Sequence, residues 1–150
     1  MKNIKRELYD LCQAHLHQRI MTAKQAIAES QEAANNETKS SSGDKYETGR
    51  AMMQLQIEKD SVQLSETLKL KHALDQIRID NVTEAVQRGS LVETNNGVFF
   101  IAISVGKLTL GDRSYFVISP ASPIALKMVG LKEKESFTLK EQTYRVLKIS

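Results

Sequence analysis

Apolar residues recur three and four apart along the first part of the chain. Ile4, Leu8, Leu11, Cys12, Leu16, Ile20, Ala23 and Ile27 trace one narrow face, which predicts a helix from about residue 3 to about residue 35. Past Ile27 that face thins to Ala33 and Ala34. A second stripe of Met53, Ile57, Leu64 and Leu68 continues with a phase shift through Leu70, Leu74 and Ile77. It predicts a second helix from about residue 46 to about residue 80. Each arm of ~35 residues would extend about 50 Å. A stripe this narrow cannot enclose a globular core, but it can pair two helices as an antiparallel coiled-coil hairpin.

From Val98 the pattern changes to β-branched and aromatic runs. Residues 98–105 read as a buried strand ended by Gly106. Residues 107–110 and 114–118 read as two more strands about a Gly111-Asp112 turn. Residues 119–130 predict a short helix with Ser122 as N-cap, Pro123 at the first helical position and Gly130 as terminator. Residues 136–139, a Lys140-Glu141-Gln142 turn and residues 143–149 close the chain with a hairpin. The expected fold class is α+β, with a helical hairpin over residues 1–80 and a small β-rich domain over 85–150.

Composition sharpens that division. Residues 1–80 hold no proline and only two glycines, Gly43 and Gly49, while residues 81–150 hold both prolines and five glycines. Charge divides as well: 12 Lys+Arg against 12 Asp+Glu in the first part, and 9 against 6 in the second. The resulting excess of +3 is too small to argue for free nucleic-acid binding. No apolar run reaches the ~20 residues of a membrane span, so no membrane partner is expected. The charged start of the chain lacks the apolar core of a signal peptide. The single Cys12 has no intramolecular partner for a disulfide, and a cytoplasmic address is expected.

Between the arms lies residues 39–49, KSSSGDKYETG, where three serines and Gly43 interrupt the helical pattern. Asp44 and Glu47 stand at capping-box spacing, which makes them a helix start with acids well placed against the macrodipole. The same spacing lets two carboxylates share a hard divalent cation when another molecule supplies the remaining oxygen ligands. Spacing leaves both readings open. His15 falls roughly opposite His72 in an antiparallel pairing, but two histidines do not complete a tetrahedral metal site. Cys12 on the apolar face reads as a small buried hydrophobe. No phosphate-binding glycine loop, catalytic triad or metal-ligand cluster is present, so an autonomous enzyme is not expected.

Two stretches carry a family resemblance. Gly43-Asp44-Lys45-Tyr46-Glu47 resembles the acidic tip of the Gre family of bacterial transcript-cleavage factors. Ile118-Ser119-Pro120-Ala121-Ser122-Pro123-Ile124-Ala125, followed by Val129-Gly130, resembles that family's I-S-x-x-S-P-I/L-A…G segment. The closing residues 144–149 resemble its final strand. The architecture covers essentially the whole chain, and the matching motifs about a fifth of it.

The resemblance implies an FKBP-like C-terminal domain that docks on RNA polymerase, with Ser119, Pro120, Ser122, Pro123 and Ile124 in the docking segment. It also implies a monomer whose coiled coil enters the polymerase secondary channel and meets the nascent RNA. There Asp44 and Glu47 would help hold a Mg²⁺ shared with the polymerase, flanked by Gly43, Lys45, Tyr46 and Arg50. A second metal that activates water for in-line attack needs such extra oxygen ligands. Cleavage of backtracked RNA would belong to the polymerase, with no catalytic residue and no metal of the chain's own. One departure stands out. The family usually shows N-A-E-Y after the tip Glu, whereas Thr48-Gly49-Arg50-Ala51 follows here. A channel-binding regulator that does not stimulate cleavage, or a coiled-coil protein with another partner, is the alternative.

Overall fold

A computed structural model describes residues 3–38 and 43–150. Two long helices come first, α1 (Ile4–Thr38) and α2 (Gly43–Asp75). Six strands and a short helix follow: β1 (Leu91–Thr94), β2 (Gly97–Ile101), β3 (Gly106–Leu110), β4 (Arg113–Ile118), α3 (Pro123–Met128), β5 (Ser136–Leu139) and β6 (Gln142–Ile149). The strands form one mixed sheet in the order β3-β4-β2-β1-β6-β5. Only β2 and β4 run parallel; the other neighbours are antiparallel. The class is α+β.

The chain divides into two compact units. One comprises Met1–Gln13 with Ala73–Ser150, and the other Ala14–His72. The limits of these units fall inside α1 and α2. The reason is local packing. Leu8, Cys12, Leu74, Ile77 and Ile79 are all buried, and the buried Lys5 donates from Nζ to the carbonyls of Asn81 and Ser150. Gln13 also bonds Asp75 at 2.8 Å. The base of the hairpin is thus part of the unit that holds the sheet.

Within Ala14–His72 the arms lie side by side. Gln18, Thr22 and Ala26 share a cavity wall with Asp60, Gln63 and Thr67. Leu16 and Ile20 are buried; Ala23, Ile27, Met53, Ile57 and Leu64 are half-buried. Two residues of the expected stripes differ: Leu11 and Leu68 are exposed. Leu11 lies about 100° round the helix from Cys12, too far to share its narrow face. Leu68 is likewise displaced from Thr67, which is buried with its hydroxyl bonded to the Gln63 carbonyl.

In the other unit, one sheet face and α3 enclose a core of Val92, Phe99, Ile101, Ala125, Met128, Phe137, Val146 and Ile149. The period-two geometry of β2 sends Val98 and Phe100 to the opposite face. There they are buried, as are Tyr115 and Val117 of β4. Both faces of β2 are covered, which is why residues 98–101 lack any polar alternation. An aromatic row crosses the α3 side, with Phe99 stacked on Phe116 and Phe137 stacked on Tyr144 at centroid distances of 5.5 and 4.9 Å.

Turn chemistry fixes the strand registers. Lys140 and Glu141 both take positive φ in the two-residue loop between β5 and β6, as a type I′ turn requires. Gly97 has φ +125, and a Cβ there would sit 3.3 Å from the Phe116 ring. The β1–β2 hairpin, absent from the sequence reading, turns through Asn95-Asn96 immediately before it. Residues 98–105 do not make one strand: β2 ends at Ile101, and Gly106 opens β3 instead of ending a strand.

Candidate functional site

Two segments carry the residues singled out by sequence, and each lies mainly in one unit. The first is the start of α2. The helix begins at Gly43, so residues 43–49 are helical where a turn was expected, and residues 39–42 lie outside the described residues. Asp44 then falls inside the first turn instead of preceding it as a cap. An acid there still meets the positive end of the helix dipole. The side chains of Asp44, Lys45 and Tyr46 lie outside the described residues, so the expected capping box is too. Glu47 and Arg50 are exposed.

Helical spacing brings positions 44 and 47 onto one side, with Cβ atoms about 5–6 Å apart. That is a separation from which two carboxylates can reach one cation. Arg50 follows Glu47 by three residues, so a guanidinium is carried on the same side one turn along.

Residues 119–130 are the second segment. Ser122 caps α3: its Oγ accepts from the Ala125 N–H at 3.3 Å and donates to the Ser119 carbonyl at 2.7 Å. Ser119 Oγ accepts from the Ala121 N–H at 3.1 Å. Pro123 occupies the first helical position, and Gly130, with φ +93, follows the helix end, as the sequence predicts. Both serine hydroxyls are therefore engaged in shaping the turn. Ile124 packs against the core as a half-buried residue.

The surface of this segment comes from other residues. Leu126 and Val129 are exposed at 68% and 46% of their area, beside the exposed Pro123 and Lys127. Sequence reasoning named the serines and prolines and passed over Leu126 and Val129. The available signal was helical spacing: Ala125 and Met128 are buried, so positions 126 and 129 must point away from the core.

The remaining candidates are dispersed. His15, His17 and His72 are exposed. Among the described residues no group of three or more His, Cys, Asp or Glu side chains is placed to hold a metal ion. Cys12 is fully buried, and burial pushes its thiol up to about 11. Among the described residues no helix is long and apolar enough to cross a membrane. No protein-family model and no curated protein sequence matches the chain.

Proposed function

We propose that this chain is a Gre-like regulator of RNA polymerase: its β-rich unit, read as FKBP-like, docks on the enzyme, and its helical arms enter the secondary channel. The observation that carries the reading is the joint occurrence of two motifs on suitable elements. An acidic pair opens a helix of 33 residues, and the S-P-I-A segment caps a short helix beside a mixed sheet. In this reading Leu126 and Val129 supply the apolar contact, while the serine hydroxyls hold the turn that presents them. Asp44 and Glu47 contribute oxygen ligands to a Mg²⁺ shared with the polymerase, which performs the hydrolysis itself.

A second reading is favoured by one specific observation. Arg50 lies one helical turn from Glu47, where a cation competes with a metal for that carboxylate. The chain then occupies the channel without stimulating cleavage. Co-sedimentation of the full chain with bacterial RNA polymerase tests what both readings share. Stoichiometric binding that weakens in Leu126→Asp supports polymerase docking. Absence of binding leaves a coiled-coil protein with a different partner.

A further inference from the structure

The sheet face opposite α3 holds a cavity of about 270 Å³ within the unit that contains the sheet. Its wall includes Lys5, Arg113 and Lys148 as cations and Glu93 as carboxylate. Glu93 is already engaged. Arg113 Nη2 contacts Glu93 Oε1 at 2.8 Å, and Lys148 stands opposite Glu93 across the β1–β6 pairing. Lys5 has only 5% of its area exposed, and its Nζ donates to two backbone carbonyls, Asn81 at 3.2 Å and Ser150 at 3.1 Å. Two of the three ammonium donors are thereby used. Asp80 lies close enough for its field to favour the charged form of Lys5, but burial outweighs it.

We infer that this cavity binds a small phosphate-class anion, held between Lys5, Arg113 and Lys148. The guanidinium offers a planar fork that suits two phosphate oxygens, and the lysines act as point charges from either side. Arg113 is steadied by the Tyr115 ring, 5.9 Å from its Cζ. The start of α1 adds its positive dipole end, since Asn3 and Ile4 also line the cavity. Size restricts the ligand. At about 270 Å³ the cavity lies at the small end of ligand clefts, which occupy roughly 300–1,000 Å³, and it admits orthophosphate or pyrophosphate.

Glu93 supplies the discriminating test, because it competes with the ligand for Arg113. Isothermal titration of the full chain with pyrophosphate, and separately with inorganic phosphate, reads the site without polymerase. Failure here is thus separate from failure of the polymerase reading. The expected result is saturable binding of one anion per chain, weakened about tenfold or more in Lys148→Gln, a difference of about 1.4 kcal/mol. Glu93→Gln should bind more tightly than wild type. Both positions are solvent-accessible, so the variants test the site without removing a buried group. A stronger response to pyrophosphate assigns the site to a diphosphate, and equal responses assign it to a single phosphoryl group. Absence of saturable binding with either anion overturns the inference, as does binding that both substitutions leave unchanged.

Discussion

The ammonium of Lys5, in the first turns of α1, donates to the backbone carbonyl of Ser150 at 3.1 Å across a separation of 145 residues. The same Nζ reaches the Asn81 carbonyl, so one buried side chain ties α1 to the segment after α2 and to the residue after β6.

Removing that ammonium takes this donor from the Asn81 carbonyl, while the Ser150 carbonyl keeps the Leu91 N–H at 3.1 Å. Lys5→Ala should therefore lower stability by about 1–3 kcal/mol, measured by urea denaturation. The pH dependence has a definite sign. Burial lowers the Lys5 pKa from 10.5 despite the field of Asp80. The unfolded chain then binds more protons over the window just below 10.5, so this residue's contribution to stability rises with pH there. Lys5→Met should lose that rise. An unchanged pH profile would contradict the assignment.

Cys12 has the opposite sign. Its thiol ionises at about 11 in the fold against an ordinary 9.0, so the unfolded chain gives up its proton first. The stabilisation is fully present below 9.0 and is lost as pH rises toward about 11. Cys12→Ala should remove this loss. At pH 8 the native thiol should react with a disulfide reagent only as fast as the protein opens, and at the normal rate in denaturant. Rapid reaction of the native protein would contradict its burial.

The β5–β6 loop places two residues with side chains in a region that favours asparagine and glycine, at φ 50 for Lys140 and 67 for Glu141. Replacing the pair by Asn-Gly should raise stability by about 1 kcal/mol or more. Thermal unfolding measures the shift, and a decrease would mean that the two side chains make contacts outweighing the backbone cost.

These elements also show how far sequence reasoning reached. The stripe Leu8, Cys12, Leu16 and Ile20 is buried as its spacing requires, and the Ser122–Pro123 signal marked the start of α3. Punctuation by serine, proline and glycine is local chemistry, so it is legible. β1 was not recognised because Leu91–Thr94 is only four residues long, although it pairs with the adjacent β2 as well as with the distant β6. The split of residues 98–105 was hidden for another reason: both faces are apolar because both are covered. The cavity lined by Lys5, Arg113 and Lys148 draws on three distant segments, and no spacing rule joins them. At the start of α2, sequence supplied the acidic pair, while helix length moved Asp44 from the cap into the first turn.

Asp44 and Glu47 are proposed to act at the polymerase active centre. Asp44→Asn and Glu47→Gln keep size and much hydrogen bonding while removing the charge that Mg²⁺ requires. Loss of a favourable dipole interaction in the first turn of α2 would cost about 0.3–1 kcal/mol and leave polymerase binding nearly intact. The measurement is the rate of RNA cleavage in backtracked elongation complexes at saturating factor, over a range of Mg²⁺ concentrations. Wild type should accelerate cleavage, and the double variant should bind the polymerase without doing so. Equal rates for wild type and double variant would contradict that role.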